Sequence, residues 1–256
     1  MTSIHPTAIV DPKAELGENV SVGPYTIIEG DVQIGDNTTI ASQVLIADGA
    51  RIGSGCRIHH GAVIATLPQD LKFGGEKTTF EIGNNTTVRE FCTLNRGTQM
   101  RGKSVVGSNC LLMAYTHVAH DCIVGDNVIL ANAVQLAGHV TVEDWAIIGG
   151  LTGVHQFCRI GRHVMVGGHF RVTKDVPPYI LASEEPLRFV GLNSVGLRRR
   201  GFSEETMRAL KHAYRLIYRS NLNVSQAVAR IREEVELIPE VLHILEFIEK
   251  AERGII

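Results

Sequence analysis

The 256-residue sequence lacks the features that mark membrane-spanning, secreted or nucleic-acid-binding proteins. No apolar run approaches the ~20 residues that a transmembrane helix needs, so we expect no membrane-spanning segment. The opening residues, M-T-S-I-H-P-T, do not have the pattern of a signal peptide, so we expect none. The formal net charge of -2 argues against general nucleic-acid binding, which requires an excess of Lys and Arg.

Cysteine is scarce, and its spacing suggests neither disulfides nor a metal site. The five cysteines are odd in number and none forms a C-x-x-C pair; they are Cys56, Cys92, Cys110, Cys122 and Cys158. This pattern favours reduced thiols, so we expect a cytoplasmic protein.

The sequence does have a six-residue hydrophobic period. Counting in sixes from Ile4 to Val172 visits 29 positions, of which only Asp70, Glu76 and Met100 are not Leu, Ile or Val. A period of six fits neither an α-helix nor an alternating strand, and it is typical of a parallel β-helix. Each hexad is then a short strand and a turn, with its aliphatic residue in the core. Three hexads close one triangular coil, and stability comes from stacking the coils.

Two interruptions keep the phase of this repeat, so we interpret them as loops ejected from one corner of a coil. The first, near residues 66–80, contains T-L-P-Q-D-L-K-F-G-G-E-K, and the second, near residues 97–104, contains G-T-Q-M-R-G-K. Ejected loops often carry function in such repeats.

The segment Y-T-H-V-A-H-D, Tyr115 to Asp121, holds the only close pair of histidines followed by an acid. Imidazole, with a reference pKa of about 6.5, suits a general base near neutrality. His139 follows His120 by one coil plus one residue, and His155 follows His139 by one coil minus two. We therefore expect these three histidines near one edge in adjacent layers.

The repeat gives way to a different pattern near the two prolines of D-V-P-P-Y, so we divide the chain into a β-helix, residues 1–180, and a helical domain, residues 181–256. The motif L-R-R-R-G, Leu197 to Gly201, gives the second domain a basic segment that would suit an acidic partner or a phosphate, or be an ordinary solvated face. Apolar residues at helical spacing predict three helices: Met207, Leu210, Tyr214 and Ile217 after a Ser203 N-cap; Val228, Ile231 and Val235; and Val241, Leu245 and Ile248 after Pro239.

Six motifs, in this order and spacing, resemble the family of UDP-N-acetylglucosamine acyltransferases that begin lipid A biosynthesis in Gram-negative bacteria. They are H-V-A-H-D, L-A-G-H-V, V-H-Q-F-C, V-M-V-G-G, D-V-P-P-Y and R-R-G-F-S. The resemblance covers nearly the whole chain. It implies a mainly β fold, a left-handed parallel β-helix of hexapeptide repeats followed by a small α-helical domain, which assembles as a homotrimer with active sites between neighbouring subunits. The implied reaction transfers an (R)-3-hydroxyacyl chain from acyl carrier protein to the 3-hydroxyl of UDP-N-acetylglucosamine, without a metal or other cofactor.

The resemblance also implies roles for individual residues. His120 matches the general base, Asp121 the acid that orients it, and Gly138 the residue whose backbone N-H stabilises the oxyanion. The implied substrate-binding residues are Asp70 and Lys72 for sugar and phosphate; His117, His139, His155 and Gln156 near the sugar nucleotide and acyl chain; Gly168 at the end of the acyl pocket; Asn193 and Arg199 for the uridine diphosphate; and Arg200 facing the carrier protein.

Two positions depart from the family pattern. Val195 stands where an acidic residue is common, and Asn95 stands where some members have histidine. Gly168 would leave room for a long acyl chain, although the neighbouring His169 and Phe170 could shorten the pocket.

Other interpretations of the same residues stay open at this point. The acceptor could be a 3-amino analogue of the sugar nucleotide. The histidines could bind zinc in a carbonic-anhydrase-like trimer, and a non-catalytic carrier-protein-binding scaffold would not depend on His120. Asp121 could be an ordinary turn residue, and His117 and His139 could be structural residues at a trimer interface.

Overall fold

A computed structural model describes all 256 residues, Met1 to Ile256, as 28 short β-strands followed by four α-helices. In chain order the strands are β1 Ser3–Ile4, β2 Ile9–Val10, β3 Glu15–Leu16, β4 Ser21–Val22, β5 Ile27–Ile28, β6 Gln33–Ile34, β7 Thr39–Ile40, β8 Leu45–Ile46, β9 Ala50–Ile52, β10 Arg57–Ile58, β11 Val63–Thr66, β12 Thr79–Ile82, β13 Thr87–Val88, β14 Thr93–Asn95, β15 Lys103–Val106, β16 Leu111–Leu112, β17 His117–Val118, β18 Ile123–Val124, β19 Ile129–Leu130, β20 Gln135–Leu136, β21 Thr141–Val142, β22 Ile147–Ile148, β23 Gly153–Val154, β24 Arg159–Ile160, β25 Met165–Val166, β26 Arg171–Val172, β27 Ile180–Ser183 and β28 Arg188–Leu192. The helices are α1 Ser194–Arg199, α2 Glu204–Tyr218, α3 Val224–Glu234 and α4 Pro239–Glu249.

The strands form three parallel sheets because the chain changes sheet with every hexad. Face A contains β1, β4 and every third strand to β25, then β27 and β28; face B runs from β2 to β26; and face C runs from β3 to β24. Paired residues are 18 apart in the regular coils, as where His117 lies opposite Gln135 and Gln135 opposite Gly153. The predicted left-handed parallel β-helix with a C-terminal helical domain is confirmed.

The aliphatic residue of each hexad forms the core of this prism. Every such position from Val22 to Val172 that is Leu, Ile or Val is buried. Ile4, Val10 and Leu16, in the first coil, are not fully buried because no layer covers them on the outer side. Each buried aliphatic side chain contributes about 1.5–3 kcal/mol, so the stacked coils make a rigid scaffold.

Three edges join the three faces, and both ejected loops leave the same edge. We call the turns after face-B strands the BC edge (residues 119–122, 137–140 and 155–158 in the later coils), those after face-A strands the AB edge and those after face-C strands the CA edge. The loops, residues 67–78 and 96–102, both connect face B to face C. Arg57 pairs with Thr87, and Thr87 pairs with Leu111, so the first of these coils is longer than a regular coil by two hexads and the second by one. Insertions of whole hexads explain why the phase of the repeat survives.

Face A continues past the two prolines of D-V-P-P-Y. Strand β27 pairs in parallel with β25, and β28 returns antiparallel to β27. Pro177 and Pro178 lie before β27, where the absence of their N-H groups breaks no ladder bond.

The helical domain follows β28 and shares its core with the β-helix. Ser203 caps α2 by accepting a hydrogen bond from the Thr206 N-H, and the three predicted helices correspond to α2, α3 and α4. The short helix α1 was not predicted. The completely buried Tyr214 donates its hydroxyl to the Pro178 carbonyl at 2.5 Å, which ties α2 to the β-helix. None of the helices is both long and apolar enough to cross a bilayer.

Candidate active site

The 18-residue register arranges the BC edge in vertical columns. One column contains His120, Gly138 and Gln156, and the next contains Asp121, His139 and Phe157. The His139 N-H donates to the His120 carbonyl at 3.0 Å, and the Phe157 N-H donates to the Gly138 carbonyl at 3.2 Å. His155 lies in a third column, with Ala119 and Ala137. The three histidines grouped from the sequence thus occupy successive coils of one edge, but His155 is stacked on neither His120 nor His139.

His120 and Asp121 form a hydrogen-bonded pair. His120 Nδ1 lies 2.8 Å from Asp121 Oδ2, and the Asp121 side chain is completely buried. Asp121 sits in a turn with φ of 59°, so it is both the turn residue and the partner of the histidine. Burial acts to raise the pKa of Asp121, but hydrogen bonds from His120 and Thr98 together hold that pKa below its usual value. The carboxylate is therefore ionised near neutrality.

This pairing leaves one nitrogen of His120 free. An ionised carboxylate can only accept a hydrogen bond, so His120 Nδ1 carries the proton and Nε2 has an open lone pair. The Nε2 atom lies beside Gly138, so close that a Cβ at position 138 would come within 2.7 Å of it. The Gly138 N-H makes no hydrogen bond within the chain. A proton acceptor therefore lies next to a residue whose backbone donor is unused.

His139 packs against the pair from the following coil. Its ring meets that of His120 edge-on, with centroids 5.0 Å apart, and stacks on Phe157 at 4.4 Å. Burial lowers the pKa of His139. The negative charge of Asp121, whose Oδ2 lies 3.8 Å from His139 Nδ1, acts to raise that pKa but does not outweigh burial. Sequence reasoning missed Phe157, yet one full coil counted from His139 identifies it.

Two depressions lie on either side of the BC edge, and they have no residue in common. The loop depression lies beneath the two ejected loops and is lined by Asp70, Lys72, Glu76, Thr98, Gln99, Met100, His139 and Phe157. The face-B depression is lined by His117, Gln135, Leu136, Ala137, Gly153, Val154, His155, Arg171, Val172 and Thr173. In the latter, His117 Nδ1 lies 2.7 Å from the Thr93 hydroxyl, and burial lowers the pKa of His117.

Four other residues singled out from the sequence lie away from the His120–Asp121 pair. Gly168 is exposed on the AB edge. Asn193 caps α1 and also donates its amide to the His163 carbonyl, so both of its polar atoms have partners. Arg199 is exposed at the end of α1 without an ion pair. Arg200 lies over the Trp145 ring, with its guanidinium carbon 5.1 Å from the centroid, and burial lowers its pKa.

His120, Asp121 and His139 also form the kind of group that could hold a metal ion, since their ligand atoms lie within 4.8 Å of one another. However, Oδ1 of Asp121 accepts from the Thr98 and Arg101 N-H groups, and Oδ2 accepts from the Thr98 hydroxyl and His120. A metal would have to displace at least one of these donors. The donor set fits a hydrogen-bonded pair better than a zinc site.

Comparison with known proteins gives consistent matches along the chain. A profile described as Udp N-acetylglucosamine O-acyltransferase, domain 2, matches residues 175–256, and one described as bacterial transferase hexapeptide (six repeats) matches residues 13–48, 31–66 and 103–138. The acyl-[acyl-carrier-protein]–UDP-N-acetylglucosamine O-acyltransferase of Thiobacillus denitrificans is 54% identical over 257 residues, covering 100% of both chains. Among solved structures, a UDP-N-acetylglucosamine acyltransferase from Bacteroides fragilis superposes with a TM-score of 0.98 at 48% identity, covering 99% of both chains. A related structure from Acinetobacter baumannii has a TM-score of 0.96 at 45% identity and covers 99% of both chains.

Proposed function

This chain belongs to the family of acyl-[acyl-carrier-protein]–UDP-N-acetylglucosamine O-acyltransferases, and from that premise we propose how its own residues perform the transfer. The donor is the thioester of an acyl carrier protein, and the acceptor is UDP-N-acetylglucosamine. We propose that an (R)-3-hydroxyacyl chain is transferred to the 3-hydroxyl of the sugar, as the first step of lipid A biosynthesis.

His120 acts as the general base in this proposal. The sugar hydroxyl is a poor nucleophile, so its proton must leave as its oxygen attacks the thioester carbon. The open Nε2 of His120 accepts that proton, and the ionised Asp121 stabilises the imidazolium through Nδ1. The same proton then passes to the departing thiolate of the carrier protein, so the enzyme ends the cycle unchanged.

Gly138 stabilises the intermediate in which the thioester oxygen carries negative charge. Its N-H has no partner in the chain, and the residue lies beside His120 Nε2, so the thioester oxygen can accept a hydrogen bond from this N-H while the attacking hydroxyl donates to Nε2. A side chain at position 138 would collide with the His120 ring. The observation that carries the proposal is this pairing of an open imidazole nitrogen with a free backbone donor.

The loop depression supplies groups for the charged part of the acceptor. Asp70 and Lys72 line it on one side, and His139 and Phe157 on the other. The Lys72 ammonium is exposed and makes no ion pair, so it is free to meet a phosphate. Asp70 accepts a hydrogen bond from the Lys72 N-H at 3.0 Å, which orders the loop at this point.

We further propose that the loop depression and the face-B depression are two halves of one site, which meet when three chains assemble. His117 and His155 line the face-B depression, Gly168 lies beyond face B on the AB edge, and Asp70 and Lys72 line the loop depression on the other side of the BC edge. In a homotrimer with rotational symmetry, such a pair of different surfaces closes a ring. Asn193 and Arg199 would join the second half at the top of the prism.

The first test is transfer from 3-hydroxyacyl carrier proteins of several chain lengths to UDP-N-acetylglucosamine. We expect His120→Ala to lower kcat by about 10²–10⁴-fold, because the general base is lost. The KM for the sugar nucleotide should change little, since His120 acts mainly in the transition state. The matched control is His5→Ala, which removes an exposed histidine from the first coil.

Two results would contradict this proposal. His120→Ala with the turnover of the wild type would remove His120 from the chemistry. Transfer by the wild type only to a 3-amino analogue of the sugar nucleotide would replace the proposed oxygen nucleophile with nitrogen.

A further inference from the structure

The second ejected loop, residues 96–102, holds the carboxylate of Asp121. The Thr98 N-H donates to Asp121 Oδ1 at 3.0 Å, and the Arg101 N-H donates to the same oxygen at 3.2 Å. The Thr98 hydroxyl lies 2.7 Å from Oδ2, the oxygen that also meets His120. Thr98 therefore contacts both oxygens of the acid, and it is buried itself.

The direction of these hydrogen bonds is fixed by their chemistry. The carboxylate cannot donate, so the Thr98 hydroxyl donates to Oδ2, and its own lone pairs remain available to accept a bond. The Met100 N-H supplies it, at 3.3 Å from the hydroxyl oxygen. Oδ2 is thus held between the Thr98 hydroxyl and His120 Nδ1, and the carboxylate cannot turn without losing a charge-assisted bond.

A competitor for Oδ2 lies close by. His139 Nδ1 is 3.8 Å from this oxygen, and it is buried without any hydrogen-bond partner. A buried imidazole nitrogen without a partner costs free energy, so the Nδ1-protonated tautomer of His139 would donate to Asp121 if a lone pair on Oδ2 became free. The Thr98 hydroxyl occupies that lone pair.

We propose that Thr98 is a positioning residue that reserves Asp121 for His120 and keeps it from His139. The inference rests on the proposed role of His120 as general base. Loss of the hydroxyl alone lets the carboxylate turn toward His139, which weakens its hold on the Nδ1 proton of His120. The tautomer with an open Nε2 is then less populated, and the imidazolium formed during transfer is less stabilised.

The test compares Thr98→Val, which keeps the branched shape, with Thr98→Ser, which keeps the hydroxyl. For Thr98→Val we expect kcat/KM to fall roughly tenfold or more, the scale of a lost hydrogen bond to a charged group. In the Thr98→Val enzyme we expect the acid limb of the pH profile of kcat/KM to move to lower pH, because the Asp121 carboxylate then stabilises the protonated form of His120 less. Thr98→Ser should retain both the rate and the profile. Thr98→Ala is the second variant of this kind if the valine variant does not fold.

The matched control is Thr38→Val. Thr38 is a fully buried threonine in an early coil, and its hydroxyl donates to the Gly53 carbonyl at 2.9 Å. The Thr38→Val enzyme should be less stable than the wild type but should keep the pH profile of the wild type. An unmoved or upward-moved acid limb in Thr98→Val, or a Thr98→Ser enzyme equally impaired, overturns the positioning role.

A readout that needs no substrate separates this inference from the proposed function. ¹⁵N NMR of the histidine rings, with His120 assigned by its absence in His120→Ala, reports which nitrogen carries the proton. We expect the Nδ1-protonated form in the wild type and in Thr98→Ser, and a shift toward the Nε2-protonated form in Thr98→Val. If the wild type transfers no acyl group but this shift occurs, the proposed function fails, while the hold of Thr98 on Asp121 stands. An unchanged tautomer in Thr98→Val rejects the positioning role whatever the activity.

Discussion

At the scale of single residues, a histidine between the β-helix and the helical domain links stability to pH. His163 lies on the CA edge, stacked between Trp145 and Tyr179 with Phe202 against its edge. Burial lowers its pKa to about 4, assisted by the positive charges of Arg200 and Arg162. Its ordinary value is 6.5, so the unfolded chain binds a proton at this residue over a pH range in which the folded chain does not.

The sign of the pH effect follows from this difference. The contribution of neutral His163 is complete above pH 6.5 and is lost as the pH falls toward about 4. We expect His163→Phe, which preserves the aromatic stack, to flatten the fall in unfolding free energy across this range by up to about 1.4 kcal/mol per pH unit. Denaturant unfolding at several pH values measures how the unfolding free energy of each protein depends on pH. His5→Phe, at an exposed histidine, should leave the slope unchanged, and an equal slope in the wild type and His163→Phe would refute the assignment.

At the scale of elements, the first ejected loop depends on a strand end in the next coil. Asn95 ends β14 and is buried, and its amide donates to the Thr66 hydroxyl and the Leu67 carbonyl, both at 3.0 Å. These bonds fix the residues from which the loop carrying Asp70 and Lys72 leaves the BC edge. Asn95, which departs from the family pattern, therefore has a structural role that requires no titration.

Asn95→Ala should loosen this loop while leaving the His120–Asp121 pair intact. We expect the KM for UDP-N-acetylglucosamine to rise severalfold and kcat to change less, because loop order matters for binding rather than for proton transfer. Hydrogen exchange of residues 67–78 should accelerate. Asn37→Ala, at a turn in an early coil, is the control; a fall in kcat with unchanged KM and exchange would argue against the anchoring role.

The periodic elements were predictable, and the inserted ones were not, for a physical reason. A core position every six residues determines the faces, the edges and the stacking partners, so the 18-residue step relates Asp121 to His139 and Phe157. The contact of Thr98 with Asp121 depends on how a non-repeating loop folds back, and no spacing encodes it. The position of Arg200 over Trp145 likewise depends on the docking of the helical domain on the CA edge.

At the scale of the whole molecule, one chain offers two separate surfaces around the BC edge. The His120–Asp121 pair adjoins the loop depression, whereas His117 and His155 line the face-B depression. If the proposed trimer joins these surfaces across each subunit boundary, every site needs the loop depression of one chain and the face-B depression of its neighbour. A single-chain site would need both from the same chain.

Mixed trimers distinguish these arrangements. We would co-express His120→Ala chains with His117→Ala/His155→Ala chains under two affinity tags and purify trimers that contain both. Either composition, two to one or one to two, places one intact loop half beside one intact face-B half at a single boundary, so we expect about one third of the activity of the wild type. Mixtures of His120→Ala with Asp121→Asn, both altered in the loop half, should recover nothing. Mixed trimers no more active than the two mutant homotrimers would rule out the shared site, because each chain would then carry its own defect into its own site. Light scattering that gives a monomer at micromolar concentration would rule it out as well.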